Sequence, residues 1–168
     1  GKISDQVLAL TGGWKNHEEE KVIMDGFRRH YFSDLLVLTE PYPMIPELLE
    51  TLYSKNIKMA ACTNKNEKSA VQMIEQLGWS KYFPIVLGGD SLPTRKPEPE
   101  MLLTATDKLG VSVNNTLMVG DTISDTLAAN RANMDCAFVD YGYSVIPHKE
   151  LVYAHHVNEA SELLELFP

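Results

Sequence analysis

Beyond residue 43, short apolar runs alternate with amphipathic stretches of ten or so residues, and this alternation constrains the fold more than any other feature. Strands are predicted at residues 58–62, 85–87, 116–119, 137–139 and 153–157, and helices at residues 46–55, 67–77, 99–109, 124–131 and 159–167. Alternating short strands and helices build βαβ units with right-handed crossovers. The sequence therefore predicts an α/β fold with a doubly wound parallel sheet.

The segment before this alternation has a helical pattern instead. Two apolar stripes at helical spacing, separated by a pair of glycines, predict two helices. Asn16 is expected to cap the second helix, because Glu19 follows three residues later. Pro41 then prevents the helical pattern from continuing. We therefore divide the chain into residues 1–40 and residues 41–168.

Charge and cysteine content exclude several classes of partner. Fifteen Lys and Arg residues against 23 Asp and Glu residues give a net charge of −8, which disfavours binding to nucleic acids or anionic membranes. The sequence contains no run of 18 apolar residues, as a membrane-spanning helix would require. Cys62 and Cys136 lie apart in separate apolar runs, which predicts reduced core thiols and a cytoplasmic protein.

Polar side chains follow the predicted strands at the positions where parallel sheets bind ligands, which are the carboxyl ends of the strands. Thr63 and Asn64 follow the first strand, and Asp121 and Asp125 follow the third. Lys96 lies in the loop before a predicted helix. A hydroxyl, an amide and an ammonium group can bind phosphoryl oxygens, and carboxylates can hold Mg²⁺. The set therefore suits a phosphate ester together with a divalent cation.

Each of these residues also has a simpler interpretation when taken alone. Asp121 could cap a helix whose first turn contains Asp125. Lys96 could be a solvated loop lysine, and the segment after the first strand could be a plain loop that ends with Asn66 as a helix cap. Their joint occurrence at one edge of one predicted sheet favours a functional site over these separate explanations.

The motifs as a set resemble motifs two, three and four of the haloacid dehalogenase superfamily of phosphohydrolases. The matching strings are Thr63-Asn64, Lys96-Pro97-Glu98-Pro99 and Gly120-Asp121-Thr122-Ile123-Ser124-Asp125. The likeness covers essentially the whole chain. Three further strings are most similar to the phosphoglycolate phosphatase branch: Pro41-Tyr42-Pro43, Gly88-Gly89-Asp90 and Tyr141-Gly142-Tyr143.

This resemblance implies a role for each candidate residue. Thr63 and Asn64 would hold the phosphoryl oxygens, and Lys96 would neutralise both nucleophile and phosphate. Asp121 would ligate Mg²⁺, and Asp125 would support the metal through water or through the lysine. The implied fold is a Rossmann-like core with a small helical cap. Whether Tyr141 and Tyr143 border the site is left open.

One part of the family pattern does not occur in the 168 residues. The first motif of the family is an apolar strand ending in Asp-x-Asp-Gly-Thr, which supplies the aspartate nucleophile. The nearest string, residues 22–27, has Ile23 at the nucleophile position and has helical spacing. The family places this strand between the strands that end at Thr63 and Asp121. We therefore expect the nucleophile to come from a missing N-terminal segment.

The resulting expectation is a Mg²⁺-dependent phosphatase that hydrolyses a small phosphorylated metabolite, similar to phosphoglycolate, through an aspartyl-phosphate. In this interpretation, residues 1–40 are the later part of the cap and residues 41–168 are a core without its first strand. The 168 residues alone should fold poorly and be inactive. The alternatives are a phosphosugar mutase or a pyrophosphatase of the same superfamily, or a non-catalytic phosphate-binding protein.

Overall fold

The structure is a computed structural model that describes residues 16–33, 40–142 and 151–167. The chain divides into two compact units, residues 1–40 and residues 41–168. The helix predicted before residue 12 and the side chain of Tyr143 lie outside the described residues.

The described part of the first unit is helix α1, His17–Ser33. Its start agrees with the sequence prediction, because the Oδ1 atom of Asn16 accepts a hydrogen bond of 2.9 Å from the backbone N–H of Glu19. Three glutamates in the first turn place negative charge at the positive end of the helix dipole. Capping and charge together explain why the helix begins here.

The second unit alternates helices and strands in the predicted order. Its elements are α2 (Ile45–Ser54), β1 (Ala60–Cys62), α3 (Glu67–Gln76), β2 (Ile85–Leu87), α4 (Glu100–Leu109), β3 (Leu117–Gly120), α5 (Ile123–Arg131), β4 (Asp135–Val139) and β5 (His155–Val157). The predicted boundaries agree to within two residues, which is the usual uncertainty of element ends. None of the described helices is long and apolar enough to cross a membrane.

The last predicted helix differs in type from the observed one. Residues Ala160–Leu166 form a 3₁₀ helix rather than the α-helix expected from their apolar spacing. An α-helix of this length gains few cooperative hydrogen bonds, whereas short terminal segments often adopt the tighter 3₁₀ geometry. The apolar face of the segment nevertheless packs on the core, where Leu163 is buried.

All paired strands are parallel, which confirms the predicted α/β fold class. The strands form a two-stranded sheet, β1–β2, and a three-stranded sheet in the order β3–β4–β5. In the first sheet Cys62 lies opposite Leu87, and in the second Gly120 lies opposite Phe138. Among the described residues, β1 and β3 do not pair with each other.

Strand β4 lies at the centre of the packing, with helices on both faces. Ala137 and Val139 point to one face, where they pack with Leu48 and Leu52 of α2. Cys136 points to the other face and packs with small side chains of α5. This two-sided burial explains why the β4 sequence is almost continuously apolar.

The facing edges of β1 and β3 are more exposed than β4. Val119 of β3 is 40% exposed, whereas Ala137 and Phe138 of β4 are fully buried. A cavity of about 730 Å³ is lined by both edges, including Ala60 of β1 and Met118 of β3. We call this cavity the strand slot. Residues of α2, α4 and the C-terminal segment also line the slot, and most of the lining side chains are apolar.

Candidate active site

Lys96 connects the two sheets at the edge where their strands end. Its Nζ atom donates hydrogen bonds of 2.6 Å to the backbone carbonyl of Cys62, the last residue of β1, and 2.6 Å to Oδ1 of Asp125 in α5. Since α5 follows β3 directly, these contacts bring the carboxyl ends of β1 and β3 to one place. Lys96 therefore joins the end of β1 to the start of α5, and the convergence of Thr63, Lys96 and Asp121 on one ligand stays a prediction.

The Lys96–Asp125 ion pair is buried. The side chains are 8% and 6% exposed, so the alternative of a solvated loop lysine is wrong for Lys96. A buried charge is tolerated when it is paired and hydrogen-bonded, and here the ammonium group has two oxygen partners. In a chain with a net charge of −8, this places a fixed cation at the strand ends.

Asp125 also fixes the start of α5. Its Oδ2 atom accepts hydrogen bonds from the backbone N–H of Thr122, at 3.0 Å, and from the Thr122 hydroxyl, at 2.7 Å. Thr122 is the N-cap of α5, and it forms a capping box with Asp125. The alternative in which Asp121 caps this helix is therefore wrong. Asp121 precedes the cap, at the end of the strand.

Asn64 lies beside the lysine loop. Its Nδ2 atom donates a hydrogen bond of 2.8 Å to the backbone carbonyl of Lys96. Thr63 precedes it, and the Thr63 hydroxyl oxygen accepts a hydrogen bond of 3.1 Å from the backbone N–H of Lys65. Asn66 caps α3 by accepting from the backbone N–H of Ser69, as predicted. The loop after β1 thus contacts the lysine loop through Asn64.

Asp121 packs against the loop that follows β4. A Cβ atom placed on Gly142 would lie 2.1 Å from the Cβ atom of Asp121, so any larger residue at 142 would collide with the aspartate. Burial, reinforced by the nearby Tyr42 and Asp121, raises the pKa of Tyr141. The Tyr141 ring contacts Tyr42 edge to face, with 5.3 Å between ring centroids. Tyr141 therefore lies within electrostatic range of Asp121.

Cys62 is near the same edge but is not a candidate nucleophile. Burial raises the pKa of its thiol to about 11, with Asp125 acting in the same direction and Lys96 against it. A thiol with this pKa is almost entirely protonated near neutral pH, and the thiolate is the nucleophilic form. The Cys62 thiol is therefore excluded as a nucleophile at this edge.

The donor set at this edge fits a hard cation such as Mg²⁺. Carboxylate oxygen is the ligand type Mg²⁺ prefers, and the ion usually takes one or two carboxylates together with water and substrate oxygens. Asp121, which directly follows β3, is the candidate direct ligand, and Asp125 contacts Lys96 and the start of α5. Among the described residues, no group of three or more His, Cys, Asp or Glu side chains lies together as a possible metal site.

Two contacts at this edge were not found by sequence reasoning. Asp90 binds the start of α3 through the backbone N–H of Glu67, at 2.7 Å. Arg131 at the end of α5 binds the lysine loop through the carbonyl of Pro97, at 3.1 Å, and the carboxylate of Glu98, at 2.7 Å. Both link residues more than 20 positions apart, so no local pattern reports them.

Comparison with known proteins identifies the family. Residues 5–139 match the family of haloacid dehalogenase-like hydrolases. The match covers most of the chain, and the chain belongs to this family. The strand-end motifs around Thr63, Lys96 and Asp121 are the ones that suggested the same family from the sequence.

Curated relatives give a narrower resemblance. The chain is 43% identical over 146 residues to a phosphoglycolate phosphatase from Neisseria meningitidis, covering 85% of this chain and 61% of the relative. It is 37% identical over 147 residues to a phosphoglycolate phosphatase from Aquifex aeolicus, covering 83% of this chain and 69% of the relative. The chain therefore spans about two thirds of the length of these relatives.

Solved structures show the same fold. The crystal structure of a predicted phosphoglycolate phosphatase from Haemophilus somnus 129pt superimposes with a TM-score of 0.89 at 26% sequence identity. The superposition covers 98% of this chain and 74% of that chain. These values establish a haloacid dehalogenase-like α/β fold.

Proposed function

We propose that these residues form most of a Mg²⁺-dependent phosphatase that hydrolyses a small phosphorylated metabolite, with phosphoglycolate as the first candidate. The observation that supports this proposal most directly is the buried Lys96, which is held between the end of β1 and Asp125 at the edge where Asp121 follows β3. A fixed cation next to carboxylates suits a dianionic ester that is bound together with a metal ion. The names of the curated relatives support the choice of substrate.

In the proposed reaction, each described side chain has a separate task. Lys96 neutralises charge on the phosphoryl oxygens, and Asp125 holds the lysine in place. Thr63 and Asn64 present the hydroxyl, amide and backbone N–H groups of their loop to the same oxygens. Asp121 is the protein ligand for Mg²⁺, which when bound supplies further neutralisation of negative charge in phosphoryl transfer.

The nucleophile is proposed to come from a strand that occupies the strand slot. The slot is lined by β1 and β3, each of which pairs in parallel with the next strand of its own sheet, and its lining is mostly apolar. A parallel strand in this position would pair with both exposed edges and would end beside Thr63 and Asp121. An aspartate at its carboxyl end would attack phosphorus and form an aspartyl-phosphate as the phosphorus bond to the ester oxygen breaks. The leaving oxygen would take a proton from the second aspartate of the Asp-x-Asp motif and depart as the alcohol, and water would then attack the phosphorus, releasing inorganic phosphate and restoring the aspartate. Residues 1–40 are proposed to belong to a helical cap.

The proposed function is tested with the natural protein that carries these residues together with the slot strand. Phosphate release is measured with phosphoglycolate, a hexose phosphate and pyrophosphate, with Mg²⁺ and after its removal with EDTA. We expect phosphoglycolate to be hydrolysed, turnover to stop with EDTA and to return when Mg²⁺ is added. Isomerisation of the hexose phosphate without phosphate release would indicate a mutase, and phosphate binding without turnover on any ester would indicate a binding protein.

Substitution of Gly142 by alanine is expected to disturb the metal ligand. The added Cβ atom would lie 2.3 Å from Oδ2 of Asp121, so the carboxylate must move. Displacing the support of a metal ligand commonly lowers metal affinity by about 10- to 100-fold. Titration of activity against Mg²⁺ should show this shift.

The matched control is Gly26→Ala, because a Cβ atom on Gly26 in α1 would meet no described atom within 4 Å outside the backbone of its own helix. The control should leave the Mg²⁺ dependence unchanged. Equal Mg²⁺ affinity in the Gly142→Ala variant and the wild type would contradict the assignment of Asp121.

A further inference from the structure

The loop after β2 packs closely on the loop after β1. Because Cys62 and Leu87 lie opposite each other, both loops leave the sheet at the same edge. The backbone N–H of Gly89 donates a hydrogen bond of 2.7 Å to the carbonyl of Lys65. A Cβ atom on Gly89 would lie 2.5 Å from the carbonyl oxygen of Asn64. The position of Asn64 therefore depends directly on the loop after β2.

Asp90 fastens the two loops together. Its Oδ1 atom accepts a hydrogen bond of 2.7 Å from the backbone N–H of Glu67, the first residue of α3. Its Oδ2 atom accepts a short hydrogen bond from the side-chain amide of Asn66. Both carboxylate oxygens are thus committed to the segment that begins α3. A carboxylate in this place also complements the positive end of the helix dipole.

Ser91 adds a second link between the same loops. Its hydroxyl oxygen accepts a hydrogen bond of 2.7 Å from the backbone N–H of Gly88, and its O–H donates a hydrogen bond to the carboxylate of Glu67. We call the contacts of Asp90 and Ser91 with Asn66 and Glu67 the loop clasp. The loop clasp therefore holds the loop after β1 on the side that faces away from Lys96.

On its other side, the loop after β1 contacts Lys96 and its loop. Asn64 donates to the carbonyl of Lys96, and the Lys96 ammonium binds the carbonyl of Cys62. A shift of the β1 loop would therefore change the distance between its phosphate-binding groups and Lys96. Asp90 itself is exposed, and its carboxylate binds the side chain of Asn66 and the backbone N–H of Glu67.

We propose that Asp90 is a positioning residue, which sets the β1 loop against Lys96 and thereby the rate of the phosphoryl transfer. This inference rests on the proposed function and adds to it a residue outside the strand-end motifs. Misplacement of reacting groups by about 1 Å can lower a rate by about 100-fold, so a remote clasp can have a large kinetic effect. Asp90 acts through Asn66 and Glu67.

The test compares Asp90→Ala, Asp90→Asn and Gly89→Ala in the natural protein that carries the slot strand. Asp90→Ala removes both acceptors and should lower kcat by about 10- to 100-fold with little change in KM. Asp90→Asn keeps one oxygen acceptor for the Glu67 N–H and should recover much of the loss. In Gly89→Ala, the added methyl group displaces the backbone carbonyl of Asn64, while the Asp90 carboxylate is unchanged. This variant should also lower kcat.

Two controls separate positioning from general destabilisation. Asp107→Ala removes an exposed acid near the end of α4, which runs away from this edge, and should leave kcat unchanged. Amide hydrogen exchange should rise in residues 63–67 of Asp90→Ala and stay unchanged in β4. Faster exchange in 63–67 with an unchanged kcat would overturn the inference, as would a lower kcat with unchanged exchange.

Failure of this inference differs from failure of the proposed function. If the natural protein is active and Asp90→Ala is equally active, the positioning role is wrong while the proposed function stands. If the natural protein hydrolyses no phosphate ester, the proposed function fails and the positioning role fails with it.

Discussion

Replacing Lys96 by methionine is expected to reduce the free energy of unfolding by about 3–5 kcal/mol, because it leaves the buried Asp125 carboxylate without its cation. The side chains of Lys96 and Asp125 are at most 8% exposed, so solvent cannot replace the ammonium group as the partner of the carboxylate. In the proposed function, the same substitution removes the charge that neutralises the phosphoryl oxygens, and turnover should be lost. Urea unfolding and phosphate release measure the two effects separately.

The double variant Lys96→Met with Asp125→Asn isolates the electrostatic cause of this destabilisation. The asparagine keeps an oxygen acceptor for Thr122 but carries no charge, so the double variant should be more stable than Lys96→Met alone. Its activity should remain lost. A double variant no more stable than the single one would contradict the explanation by an uncompensated buried charge.

The matched control for Lys96→Met is Lys81→Met. Lys81 binds Glu50 at 2.8 Å, so the pair distance is similar, but the two side chains are 50% and 54% exposed. Exposed ion pairs are screened by solvent and contribute little to stability. Lys81→Met should therefore destabilise the protein far less than Lys96→Met. Equal losses would show that burial does not govern the effect.

The second large effect concerns the strand slot. A polypeptide limited to the 168 residues is expected to be at least about 10⁶-fold less active than the natural protein that includes the slot strand, the scale seen when a catalytic nucleophile is removed. The reason is that the proposed nucleophile lies on the slot strand. Assay of both polypeptides with an aryl phosphate and Mg²⁺ measures the ratio, and robust turnover by the 168 residues would refute the proposal.

Amide hydrogen exchange tests the same proposal without an assay of activity. Backbone groups of β1 and β3 that face the slot should exchange faster in the 168-residue polypeptide than in the longer protein. Strand β4 pairs with β3 and β5, so it serves as the internal reference. Equal protection of β1 and β3 in both polypeptides would show that no strand enters the slot.

The sequence predicted the elements well because their signals are local. Apolar runs and helical spacing fixed the strands and helices to within two residues, and the Asn16 cap followed from Glu19 three positions later. The predicted convergence of Thr63, Lys96 and Asp121 rests on a general property of parallel sheets, whose strand ends face one edge, and it stays a prediction. The contacts of Lys96 with Asn64 and Asp125 agree with that property. The individual hydrogen-bond partners of these residues could not be predicted from that property.

The remaining features depend on contacts between distant residues. The capping box assigns the helix start to Thr122, because the Asp125 carboxylate reaches Thr122, and the spacing alone allowed Asp121. The packing of Gly142 on Asp121 joins loops about 20 residues apart. The Asp90 contacts likewise join two loops that only the parallel pairing of β1 and β2 brings together. Such contacts arise from the assembled sheet, so no short pattern encodes them.

Phosphate release from phosphoglycolate, by the wild type and by Asp121→Asn in the natural protein that includes the slot strand, tests the central claim most directly. With saturating Mg²⁺, we expect steady turnover by the wild type and a loss of at least about 100-fold in the variant, since a neutral amide replaces the proposed metal-binding carboxylate. Absence of phosphate release by the wild type, or wild-type turnover by Asp121→Asn, would contradict it.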